Sequence, residues 1–117
     1  MKKVTLVPRD ESAAPDAERV NSWLEGRDDV QRLDADAFVV EISSADLATQ
    51  AEVYTGHDGE PIHYVRIEIE SAGIPYGSPL ATEIRKLCED MASRFDFMVL
   101  AGKDKKSVAA FFDEGLF

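Results

Sequence analysis

The stretch Ile62-His63-Tyr64-Val65-Arg66-Ile67-Glu68-Ile69-Glu70 decides the fold. His63, Val65, Ile67 and Ile69 alternate with Tyr64, Arg66, Glu68 and Glu70 through the whole run. A period of two, with one mostly apolar and one polar set, marks a strand that packs one face on a core and turns the other to water. Antiparallel sheets allow this; parallel sheets covered on both sides do not. The alternation places His63 inward, as a hydrogen-bonded core histidine.

Upstream, Gly56-His57-Asp58-Gly59-Glu60-Pro61 carries the Asp-Gly chemistry of a hairpin turn. The strand before it covers residues 49–55, with Ala51 and Val53 alternating against Gln50, Glu52 and Tyr54. If the apolar sides coincide, parity favours Val53 opposite Val65 and Glu52 opposite Arg66. Residues 37–43 read as a further strand, with Phe38, Val40 and Ile42 on one face and Val39 and Glu41 on the other. Residues 26–36, between this strand and the helix before it, read as a polar turn.

The remaining elements follow from helical spacing and caps. Lys3 to Val7 reads as the first strand. Pro15 to Glu25 reads as a helix, with Pro15 at its first position, Ala17, Val20, Trp23 and Leu24 on its buried stripe, and Gly26 as the residue that ends it. Ser78 as N-cap and Pro79 after it announce a second helix to Arg94, striped by Leu80, Ile84, Leu87, Cys88 and Met91. Phe97 to Ala101 is a short apolar strand closed by Gly102, and Lys105 to Glu114 a last helix with Val108, Phe111 and Phe112 inward. The order β-α-β-β-β-α-β-α predicts a single α+β domain over residues 1–117. Its sheet is expected to be mixed but mainly antiparallel and five-stranded, with the helices on one face and the first and last strands near the middle.

With 117 residues the chain can bury a core of its own, and 44% hydrophobic with 31% charged residues is the composition of a globular domain. The lone Cys88 excludes an internal disulfide framework and a cysteine zinc site. Met1-Lys2-Lys3 opens like a signal peptide, but Pro8 cuts the apolar run and Arg9, Asp10 and Glu11 follow at once. No run approaches the roughly 20 apolar residues of a membrane span, and a single thiol suits a reducing compartment, so a cytoplasmic protein with no membrane contact is expected.

Charge carries the most information about function. The formal net charge is −10, and from Asp10 to Glu70 there are 16 acidic and 4 basic residues, whereas the rest of the chain holds 7 acidic and 9 basic. Such a chain is a poor ligand for nucleic acid, whose affinity rests on Lys and Arg. The bland reading is a solvated acidic surface. The sharper one is a negative field that steers a basic protein into contact. Glu52, Tyr54, Tyr64, Arg66, Glu68 and Glu70 would share the wet side of the sheet, and Tyr and Arg recur as interface anchors. The two tyrosines would also stabilise the sheet as a cross-strand pair.

The expected function is therefore that of a non-enzymatic binding module, most concretely an immunity-type inhibitor that covers a basic surface of a toxin or nuclease. The alternative is a small enzyme or ligand-binding domain built on His57, Asp58, His63 and Tyr76, and a third reading is a homo-oligomeric regulatory domain joined through a sheet edge. Asp28-Asp29 and Asp34-x-Asp36 lack the spacing of a calcium loop and read as turn residues. Residues 72–79 lack a P-loop lysine or a dinucleotide-binding glycine pattern. Cys88 sits among apolar residues, as an inert thiol does. No catalytic residue, metal ligand or cofactor is assigned from the sequence.

Overall fold

The computed structural model describes residues 2–44, 47–69 and 79–117. Seven strands form one sheet: β1 (Lys2–Pro8), β2 (Val30–Asp34), β3 (Ala37–Ser44), β4 (Leu47–Tyr54), β5 (Val65–Ile69), β6 (Phe97–Ala101) and β7 (Asp104–Lys106). The helices are α1 (Ala17–Glu25), α2 (Pro79–Phe95) and α3 (Val108–Asp113), with a short 3-10 turn at Glu11–Ala13. The sheet runs β2-β3-β4-β5-β1-β6-β7 and every neighbouring pair is antiparallel.

The α+β class and the antiparallel sheet agree with the sequence, but among the described residues the sheet has seven strands instead of five and no parallel pair. The two extra strands are its edges. Val30–Asp34 carries no fully buried residue and is interrupted by an irregularity between Arg32 and Asp34. Asp104–Lys106 carries none, and it pairs with β6 because Gly102, at φ +63, turns the chain through a two-residue loop. An edge strand buries little on either side, so it leaves no apolar alternation to read. The same turn shortens the last helix to Val108–Asp113, capped by Ser107, whose side chain accepts from the Ala110 amide. With β7 outside it, β6 is one strand from the edge and is not central.

Alternate residues of the central strands form the core. Val4 and Leu6, Phe38, Val40 and Ile42, Ala51 and Val53, Val65, Ile67 and Ile69, and Phe97 and Val99 are all buried, and the register places them on one face. They join the apolar stripes of the three helices in one cluster, including Val20 and Leu24 of α1, Ile84 and Met91 of α2, and Phe111 and Phe112 of α3. Trp23 is only partly buried and meets Phe95 edge to face at 5.8 Å. Asp96, at φ 56, is the only residue between α2 and β6, and the Arg9 amide donates to its carbonyl while the Arg9 guanidinium donates to its carboxylate. Aspartate tolerates the left-handed region better than most residues, which lets a helix turn directly into a strand.

The segment before β5 departs most from expectation. The strand starts at Val65, three residues later than the alternation suggests. Asp16 and Pro61 form a bridge, Ala17 N donates to Glu60 O, and Ile62 N donates to Pro15 O. The start of α1 thus captures residues 60–62. Asp16, not Pro15, occupies the helix start: it is the N-cap, its carboxylate accepts from the Glu18 amide, and Pro15 is left outside. His63, freed from the strand, is exposed and does not face the core. The β4–β5 register is shifted by two residues from the predicted one, pairing Val53 with Ile67 and Glu52 with Glu68. Parity survives because a shift of two keeps every side chain on its face. At the other end of α1, Gly26 has φ −75 and is an ordinary right-handed cap, not a left-handed terminator.

Candidate functional site

Four of the six residues singled out for the wet face meet there. Tyr54 and Arg66 are direct cross-strand partners, as are Glu52 and Glu68. The Arg66 guanidinium carbon lies 4.9 Å from the Tyr54 ring centroid, and Arg66 Nε lies 3.1 Å from Glu68 Oε1. That nitrogen is buried and has no aligned hydrogen-bond acceptor among the described residues, so it meets Glu68 through charge alone. The Tyr54 hydroxyl donates to the Glu52 carboxylate. Tyr64 precedes β5 and is 45% exposed. Glu70 lies outside the described residues.

This cluster resolves a conflict that the register creates. Two carboxylates facing each other across neighbouring strands repel. Here Tyr54 engages one and Arg66 the other, and the guanidinium close to the Tyr54 ring adds cation–π attraction. The Glu52 carboxylate, by accepting the hydrogen bond of the Tyr54 hydroxyl, holds that phenol above its ordinary pKa; partial burial and the Glu68 charge add to the effect. On the far side of β5, Lys3 of β1 pairs with Glu68, and Thr5 pairs with Arg66. The side chains at the centre of the open face are thus held by one another before any partner arrives, which lowers the entropy lost on contact.

The sheet order turns the charge bias of the sequence into a spatial one. Strands β2 to β5 are contiguous and α1 packs beside β2, so Asp34, Asp36, Glu41, Glu52, Asp58 and Glu60 all belong to one half of the molecule. Lys3 on β1, Lys103 in the turn, and Lys105 and Lys106 on β7 belong to the other half. Next to Lys3, an open groove of about 470 Å³ is lined by Thr5, Leu100, Phe111 and Leu116 among others. Leu100 is 39% and Leu116 48% exposed.

Of the residues of the enzyme alternative that are described, His57 and Asp58 engage different partners. His57 Nε2 lies 3.9 Å from Asp36 Oδ2, with both side chains largely exposed. The Asp58 carboxylate instead accepts a hydrogen bond from Asn21 Nδ2 at 3.0 Å. His63 is exposed, and Tyr76, like the whole 72–78 segment and its Ser78 cap, lies outside the described residues. Of the acidic pairs, Asp29 is held by Arg27 through two hydrogen bonds of 3.0 Å, and Asp34 Oδ1 accepts from the Ala35 amide at 2.7 Å. Among the described residues no group of three or more His, Cys, Asp or Glu side chains is placed to hold a metal ion. Cys88 is fully buried in α2, and burial pushes its thiol far up.

Sequence reasoning missed the residue that organises the 55–58 loop. Asn21 is 1% exposed, donates to Gly56 O and to Asp58 Oδ1 at 3.0 Å each, and accepts from the Thr55 hydroxyl. Its signal was present: Asn21 lies four residues after Ala17, on the buried stripe of α1, and a polar side chain there needs partners. Comparison with family models, with curated proteins and with solved structures finds no match to this chain.

Proposed function

We propose that the protein is a non-enzymatic binding module whose acidic half covers a basic surface of a protein partner, in the manner of an immunity-type inhibitor working in the cytoplasm. One observation carries the reading: the sheet order gathers the acidic residues of β2 to β5 and their connecting loops into a contiguous half with the Tyr54–Arg66 cluster at its inner border. A concentrated negative field accelerates encounter with a basic surface, and a pre-held aromatic and arginine pair supplies the kind of side chains that anchor interfaces. No described helix is long and apolar enough to cross a membrane.

The test is affinity capture from the source cytoplasm, followed by kinetics with the purified partner. The reading expects a basic protein whose association rate falls as salt shortens the Debye length below about 10 Å. Tyr54→Ala should weaken binding by about 2 kcal/mol or more, mainly through faster dissociation. Glu41→Lys and Glu52→Lys should chiefly slow association. A salt-insensitive association rate, with affinity intact in all three variants, refutes the proposal.

A further inference from the structure

The open sheet face is self-complementary. We infer that two copies of the chain associate through it, about a two-fold axis that lies in the interface and runs parallel to the strands between β5 and β1. Such an axis keeps the level of each residue along the strands and exchanges β5 with β1 and β4 with β6. Lys3 and Glu68 are cross-strand neighbours on that face, as are Thr5 and Arg66. The rotation therefore sets Glu68 of one copy over Lys3 of the other, and the reverse, so that four charges alternate in sign around a square. An isologous contact has this property by symmetry: residue i meets j, and j meets i.

The next level supports the same axis. Tyr54 pairs with Arg66 on the β4 side, while Leu100 of β6 borders the groove beside Lys3 and Thr5. The rotation lays the partly exposed Tyr54 ring of one copy on Leu100 of the other, at the mouth of that groove. Other geometries fare worse. A two-fold axis across the strands stacks acidic half on acidic half. The edges offer little, because β2 is interrupted between Arg32 and Asp34 and β7 has three residues.

Area sets the strength. Four central strands spaced about 4.8 Å apart and about 20 Å long present roughly 400 Å² of face per copy. A standard stable interface buries about 800 Å² per partner. The dimer is therefore weak and fills at high protein concentration. It does not depend on the existence of a basic partner, but since Tyr54 and Glu68 serve both contacts, a partner and a second copy exclude each other.

Sedimentation velocity on the full chain, from micromolar to millimolar concentration at low salt, tests the inference. The native chain should show reversible dimerisation. Lys3→Glu and Glu68→Lys should each weaken it about tenfold or more, because each turns the alternating square into like-charge contacts. The double variant Lys3→Glu with Glu68→Lys restores the alternation and should recover the native constant to within about threefold. Leu100→Glu should also weaken it. Lys3 and Leu100 are exposed and Glu68 is half-buried beside Arg66, so circular dichroism checks that each variant is folded. A chain that stays monomeric to millimolar concentration, or a dimer whose double variant recovers neither single defect, overturns the inference. A monomeric chain that still captures a basic protein removes the dimer and leaves the proposed function standing; a dimer that captures none does the opposite.

Discussion

Replacing Asn21 by alanine should cost the protein about 3 kcal/mol. The side chain makes three hydrogen bonds from a site that is 1% exposed, to Gly56 O, Asp58 Oδ1 and the Thr55 hydroxyl. Each is worth about 1 kcal/mol net, and truncation also leaves the Gly56 carbonyl and the Thr55 hydroxyl to find water in a partly closed loop. With an unfolding entropy of about 2.1 cal/mol/K per residue, a chain of this length should lose about 12 °C in Tm. Urea and thermal unfolding measure the loss, and hydrogen exchange should place the weakest amides in the 55–58 loop. Asn21→Asp adds a sign test. A carboxylate in that site would sit beside Asp58 and the Gly56 carbonyl, so burial and repulsion raise its folded pKa above its unfolded value. Its neutral form is favoured in the folded state, and the defect should therefore shrink as the pH falls. A loss below about 1 kcal/mol for Asn21→Ala refutes the reasoning, because it means that water replaces all three bonds at little cost.

Three further outcomes are expected. His63→Ala should change stability by less than about 0.5 kcal/mol by chemical denaturation, since the side chain is exposed; a loss of about 1–3 kcal/mol would restore the inward strand that the alternation suggested. The Arg27 guanidinium, by its hydrogen bonds and charge, holds the Asp29 carboxyl below its ordinary pKa against a smaller opposing effect of burial. Its contribution is therefore present above the unfolded value and disappears as the pH falls through the folded one. Asp29→Asn should be destabilising at neutral pH and indistinguishable from native in acid, and a deficit that persists in acid contradicts this. Cys88 should react with thiol reagents only at the rate of global opening, and fast labelling of the native protein would show that the α2 stripe opens locally.

By itself the sequence determined the class and the faces. Alternation in Val65–Ile69, Phe38–Ile42 and Ala51–Val53 depends on local geometry, because a strand turns successive side chains to opposite sides wherever it ends up. For that reason Glu52, Tyr54, Arg66 and Glu68 could be assigned to one open face even though the register was wrong by two. The α2 stripe was legible in the same way, through helical spacing. Tertiary structure alone decided where β5 begins: the capture of residues 60–62 by the start of α1 is a contact between segments more than forty residues apart, and it outweighed a run of perfect alternation to expose His63. It also decided the edge strands, which form because a neighbour offers unpaired backbone groups and not because their own side chains call for burial. Most of all it decided the order of the strands. An excess of acidic residues along the chain is only a count until the sheet sets β2 to β5 side by side and sends β1, β6 and β7 to the other end. Strand order follows from how whole elements bury their apolar faces together, a property of the collective core that no single window of residues contains.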